Sequence, residues 1–200
     1  MQALFIEEIK NIYRLKIPFE NLYTSVFLIK TDNGGILVDC ATLNKDVDEY
    51  IIPALNELSV RLEEIKYLVL THKHSDHAGG LSKILERFTN IKIINKVAVL
   101  NVKHVTVYEL KGHTYDSIGV LDERSGTLIS GDGLQGLGVG KYRLLLESKD
   151  EYIKTINKIK NDKRIKNILF SHSYEPFNSD GIFSRKEVEK CLALCETCIK

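Results

Sequence analysis

The sequence predicts an α/β fold. Short, continuously apolar runs that read as buried strands alternate with amphipathic stretches opened by helix-capping residues. Residues able to do chemistry stand just past several of those strands: Asp39, the stretch His72 to His77, Asp132 and His172. Strand ends along one sheet edge are where a rigid scaffold presents functional loops. At 200 residues, 44% apolar and 28% charged, the chain can bury a sizeable core and is read as one domain over 1–200.

Taken in order, Ile12–Leu15 and Val26–Ile29 read as strands. They are followed by a turn at Thr31-Asp32-Asn33-Gly34-Gly35, where Asn-Gly supplies the positive φ of a hairpin. The returning strand Ile36–Val38 is wholly apolar and ends at Asp39, a charge that needs a partner there. From Asn44 to about Leu58 the period is helical, with Val47, Ile51, Leu55 and Leu58 on one face and Pro53 implying a kink. Tyr67–Thr71 is a second buried strand, and Ala78-Gly79-Gly80 permits tight entry into a helix from Leu81 to about Phe88. Lys92–Leu100 and His104–Leu110 are further strand material. Ser117–Leu121 and Thr127–Ser130 form a hairpin that ends at Gly131-Asp132-Gly133. Gly133 to Gly140 is expected to be a mobile loop. Ser148-x-x-Glu151 caps a helix to about Lys160, Ile168–Phe170 is a third buried strand ending at Ser171-His172, and Ser184-x-x-Glu187 caps the terminal helix.

A formal net charge of +1 offers no electrostatic basis for binding nucleic acid or an acidic membrane. The N-terminus carries acids directly after a very short apolar run, so no secretory signal is expected, and no apolar stretch approaches membrane-spanning length. Three of the four cysteines crowd the C-terminal end rather than spreading as a disulfide framework, so a cytoplasmic location is expected. The expected partner is a small-molecule substrate. The sequence is silent on oligomeric state.

The densest feature is Thr71-His72-Lys73-His74-Ser75-Asp76-His77-Ala78-Gly79-Gly80. It holds three of the six histidines, with an aspartate between the last two. Imidazole and carboxylate are donors for divalent transition metals, so H-x-H-x-D-H reads as half of a metal site. The candidate set is completed by His113, Asp132 and His172, and only His104 lies outside it, as decoration of a strand surface. Two metals about 3.5–4 Å apart would need neutral imidazoles and a carboxylate to bridge them.

These motifs, with Gly112-His113-Thr114, Ser130-Gly131-Asp132 and Ser171-His172 following in order, resemble those of the metallo-β-lactamase-fold hydrolases, most closely the short glyoxalase II-type members. The resemblance runs from Asp39 to His172. It implies a four-layer αβ/βα sandwich with a binuclear site at one edge of the sheets. It implies that His72, His74 and His113 bind one metal, that Asp76, His77 and His172 bind the other, and that Asp132 bridges. Asp39 would support the ligands from behind. The expected cofactors are two divalent metal ions, zinc first, with iron or manganese accepted by the same donors. The implied reaction is attack of a metal-bridging hydroxide on the carbonyl of a small thioester, ester or lactone.

Asp132 stands where true β-lactamases of this fold commonly carry cysteine, which argues against that activity. The stretch after His172 is too short for the helical domain that holds glutathione in larger glyoxalase II enzymes, so glutathione specificity is not carried over. Two other reactions are weighed: a persulfide dioxygenase-like oxidation on one iron held by His72, His113 and Asp132, and, less favoured by the charge, phosphodiester hydrolysis. Asp76 and Asp132 are candidate catalytic groups. Tyr142 and Tyr174 are candidates for donating a hydrogen bond to the oxyanion or leaving group, with Tyr115 similar. Cys191, Cys195 and Cys198 have a C-x3-C-x2-C spacing, but on a helix they form one face and are read as packing; Cys40 is read as a small buried filler.

Overall fold

The computed structural model describes residues 4–19, 22–134, 145–174 and 179–199. The chain divides into two compact units, Met1–Asn95 and Lys96–Lys200. The first unit is a six-stranded mixed sheet in the order β1-β2-β3-β4-β5-β6. Its strands are β1 (Ile6–Ile9), β2 (Ile12–Phe19), β3 (Leu22–Thr31), β4 (Gly34–Val38), β5 (Ile65–Val69) and β6 (Lys92–Ile94). The first four pair antiparallel, and β4–β5 and β5–β6 are parallel. β1 was not legible in the sequence. It turns into β2 at Asn11, whose φ of 67° is left-handed and whose backbone N–H donates to Glu7 Oε1 at 2.8 Å.

Helices cover one face of this sheet. Leu15, Ile17, Val26, Leu28, Leu37 and Leu68 pack with Val47, Ile51, Leu55, Ile84 and Phe88. Burial of one such Leu or Ile contributes roughly 1.5–3 kcal/mol, so this layer supplies much of the unit's stability. The helical run predicted from Asn44 is present as α1 (Asn44–Asp46), a π-helical turn (Val47–Ile51) and α2 (Ile52–Glu57). Pro53 has no N–H to give and would crowd the carbonyl four residues back. The chain accommodates this by widening the turn before it, where Ile52 N–H bonds Val47 O.

The histidine stretch follows β5 as predicted, but part of it is helical: α3 (Ser75–Ala78) carries Asp76 and His77 and is followed by α4 (Leu81–Arg87). Gly79 and Gly80 seat this segment against the chain that leaves β4. A Cβ on Gly79 would lie 1.8 Å from Thr42 O, and one on Gly80 would lie 2.2 Å from Cys40 O. Both obstacles are backbone, so neither glycine can be replaced without moving the Asp39–Thr42 segment. Gly79→Ala is accordingly expected to cost roughly 3 kcal/mol or more. Urea unfolding checks this, and a loss under about 1 kcal/mol would show that the two segments can part.

The second unit is a five-stranded mixed sheet in the order β11-β10-β9-β8-β7. It is built from β7 (Val105–Glu109), β8 (Ile118–Asp122), β9 (Thr127–Ile129), β10 (Asn167–Tyr174) and β11 (Ser179–Ile182). Only β9–β10 is parallel. α5 (Lys149–Asn161) and α6 (Arg185–Ile199) pack on one face, with Tyr152, Ile156, Ile159, Val188, Leu192, Cys191 and Cys195 against Leu110, Leu121, Leu128, Ile168 and Phe170. Both predicted caps are made: Ser148 Oγ accepts from Glu151 N at 3.3 Å, and Ser184 Oγ accepts from Glu187 N at 3.2 Å.

Three expectations need correcting. The strand read over Lys92–Leu100 stops at Ile94. His104 is not on a strand: it sits exposed at φ 65°, in the turn before β7. His172 lies within β10 rather than just past it. Pairing with β9 ends at Leu169, but the strand continues because Tyr174 pairs antiparallel with Ser179. Most of the Gly133–Gly140 loop lies outside the described residues.

Candidate metal centre

In the first unit the site starts from Asp39. Its backbone is held in the left-handed region at φ 63°, unusual for a non-glycine residue, and Ala41 repeats this at 65°. The strain is held in place by a backbone lattice. Asp39 N donates to Val69 O at 2.9 Å, Cys40 N to His77 O at 2.8 Å, and Gly79 N to Ala41 O at 3.0 Å. From the other side, Thr24 Oγ1 on β3 donates to Asp76 O at 2.9 Å.

The Asp39 side chain is fully buried and accepts three hydrogen bonds. Thr71 N reaches Oδ1 at 2.7 Å, Thr71 Oγ1 reaches Oδ2 at 2.8 Å, and His77 Nδ1 reaches Oδ2 at 2.7 Å. These bonds decide the histidine tautomers. With Nδ1 of His77 donating to Asp39, its Nε2 is the nitrogen with a lone pair, and it faces Asp76 Oδ2 at 3.3 Å. Because the Thr71 hydroxyl gives its proton to Asp39, its oxygen accepts from His72 Nδ1 at 3.1 Å. His72 Nε2 therefore presents a lone pair as well, 3.0 Å from His74 Nδ1. Asp39 governs both rings, one directly and one through Thr71.

In the second unit, His113 Nδ1 donates to Leu145 O at 2.8 Å, so its Nε2 carries the lone pair, 3.8 Å from Asp132 Oδ2. His172 Nε2 lies 3.6 Å from the other carboxylate oxygen, Asp132 Oδ1. Asp132 is presented on a single 3-10 turn (Gly131–Gly133) at the end of β9 and turns one oxygen toward each histidine.

Among the described residues the first unit gathers the metal-ligating donors of His72, His74, Asp76 and His77, and the second unit those of His113, Asp132 and His172. His74 Nδ1 can donate to His72 Nε2 at 3.0 Å, and imidazole nitrogens face carboxylate oxygens at 3.3–3.8 Å, positions that either a proton or a cation can occupy. Nitrogen and oxygen donors of this kind suit divalent transition metals, so the residues fit the ions that the motif leads one to expect.

Of the seven expected ligands the first unit brings His72, His74, Asp76 and His77 together and the second His113, Asp132 and His172, and Asp39 accepts from His77 Nδ1. Tyr142 and the side chain of Tyr174 lie outside the described residues, and Tyr115 is 61% exposed. Cys40 is buried with its thiol 3.4 Å from His77 O, and burial and the adjacent Asp39 carboxylate push that thiol up, as suits a filler. Cys191 and Cys195 are buried in the α6 face, and a hydrogen bond to Cys195, with burial, pushes the Cys191 thiol up. Three contributors were not foreseen: the Thr71 hydroxyl, the Thr24 hydroxyl and the Leu145 carbonyl. The first was visible only as a residue beside the motif, and the last is a backbone atom with no sequence signal.

Residues 20–104 match the profile of the Metallo-beta-lactamase superfamily. The hydroxyacylglutathione hydrolase of Prochlorococcus marinus (strain MIT 9301) is 28% identical over 214 residues, spanning 92% of this chain and 82% of that protein. The beta-lactamase-like protein 2 homolog of Caenorhabditis elegans is 26% identical over 72% of this chain, which spans about half, 54%, of that relative's length. Among solved structures, a metallo beta lactamase from Erythrobacter litoralis superposes with a TM-score of 0.76 over 96% of each chain, at 18% identity. That likeness shows the metallo-β-lactamase fold.

Proposed function

We propose that this chain, whose residues 20–104 match the Metallo-beta-lactamase superfamily, is a binuclear metal-dependent hydrolase of a small thioester, ester or lactone. The observation that carries this reading is the state of the donors: His72, His77 and His113 each have one ring nitrogen committed to a protein acceptor, which leaves the other for a metal. Relatives named hydroxyacylglutathione hydrolase support a carbonyl substrate with a thiolate leaving group.

Two divalent cations, zinc by expectation, would supply the positive charge that acidifies a water near neutral pH and polarises a carbonyl oxygen. His72, His74 and His113 would hold the first and Asp76, His77 and His172 the second, with the Asp132 carboxylate as a ligand common to both. Asp76 would take a proton from the attacking water and return it to the leaving group. Asp39 and Thr71 keep the rings from turning while charge develops. Tyr142 and Tyr174 are proposed to donate to the leaving group. The ligand is a small molecule, and among the described residues no helix is long and apolar enough to cross a membrane.

Metal analysis of the purified chain, with a panel of thioesters, lactones and phosphodiesters, tests the proposal. Two equivalents of metal are expected, with turnover of thioesters or lactones that falls on the order of 10³-fold in His72→Ala. One equivalent of iron with oxygen consumption on a persulfide would replace this reading, as would turnover confined to phosphodiesters.

A further inference from the structure

The mount of His113 has a component that the metal-binding motif does not contain. The segment Leu145–Ser148 runs alongside Gly112–Tyr115 and is bonded to it at four points. His113 Nδ1 donates to Leu145 O at 2.8 Å, Glu147 N to His113 O at 3.1 Å, Ser148 N to Gly112 O at 3.1 Å, and Tyr115 N to Glu147 Oε2 at 2.7 Å. Three of these use only the backbone of Leu145–Ser148 and would survive any side-chain change there. The fourth depends on one carboxylate. Beneath the loop, Gly112 at φ 136° lies against α5, where a Cβ would meet Tyr152 Cα at 2.6 Å, and Ser148 caps the same helix. The ligand loop is thus anchored to the start of α5, with Glu147 as its outer tie.

We propose that Glu147 is a positioning residue for His113. Its carboxylate holds Tyr115 N, two residues beyond the ring, and so keeps the imidazole aligned on Leu145 O with Nε2 as the metal-binding nitrogen. The tie is short, at 2.7 Å, and it is the one of the four bonds that a side chain of Leu145–Ser148 makes. The proposal rests on His113 being a metal ligand. An acid near a helix start also favours the helix dipole wherever it points, which is the ordinary reason for such a residue.

Glu151→Ala separates the two roles, because Glu151 sits in the first turn of α5 with its carboxylate on Lys154. Glu147→Gln keeps an acceptor oxygen for Tyr115 N while losing the charge. Cobalt(II) titration of the whole chain, followed by its visible bands, is read beside the imidazole ¹⁵N shifts of His113 in the metal-free chain. In Glu147→Ala the first metal is expected to bind 10–100-fold more weakly and the single-tautomer pattern of His113 to be lost. Glu147→Gln and Glu151→Ala are expected to stay within about threefold of the parent. Parent-like cobalt affinity and ¹⁵N shifts in Glu147→Ala would overturn the proposal while leaving the hydrolase reading intact. Equal weakening in Glu147→Gln or Glu151→Ala would assign the effect to helix charge. A parent chain that binds no cobalt would overturn both.

Discussion

Asp132→Ala is expected to lower kcat on the order of 10³-fold or more and to leave the chain with fewer than two bound metals. The geometry behind this expectation is the division of one carboxylate between two histidines: Oδ2 is 3.8 Å from His113 Nε2 and Oδ1 is 3.6 Å from His172 Nε2. Asp132→Asn should do nearly as much harm, because its amide nitrogen cannot ligate a cation and the side chain lacks the charge to offset one. Metal content after dialysis and kcat on the best thioester check both variants. Either variant within tenfold of the parent would show that Asp132 is not shared.

Asp39→Ala is expected to have the next largest effect, although Asp39 touches no metal in this account. Three donors lose their acceptor at once: Thr71 N, Thr71 Oγ1 and His77 Nδ1. Leaving such groups buried without the carboxylate costs about 2–5 kcal/mol of stability. Both His72 and His77 lose the bond that sets their tautomer, so metal affinity should fall about 10–100-fold in each donor set. Thr71→Val separates the two routes, because it cuts the relay to His72 and leaves the Asp39–His77 bond in place. The affinity of one metal should then drop while that of the other is kept. Equal weakening of both, or of neither, would show that the Thr71 relay does not set the His72 ring.

Much of the scaffold was legible because its signals are local. The Asn33-Gly34 turn, the hairpin around Gly126 and the caps at Ser148 and Ser184 each depend on residues within a few positions of one another, and each formed where expected. What was missed depends on partners distant in sequence. β1 exists because β2 offers it an edge, and β10 runs through His172 because β11 returns beside it. The widened turn before Pro53 lies between these cases: the proline forecast a disturbance, but packing of Val47 and Ile51 into the core decided that the helix would bulge rather than break.

The sequence by itself determined which atoms are available for the chemistry. The spacing H-x-H-x-D-H and the order of His113, Asp132 and His172 declared seven nitrogen and oxygen donors and placed nearly all of them at strand ends. Only the tertiary structure decided which ring nitrogen of His72, His77 and His113 is taken by a protein partner. A histidine's tautomer follows from the hydrogen bond made by its other nitrogen, and that partner is chosen by chain packing: a carboxylate 38 residues away for His77, a hydroxyl relay for His72, and a backbone carbonyl 32 residues on for His113. Residue spacing carries no record of such partners, because a backbone carbonyl looks the same in every amino acid.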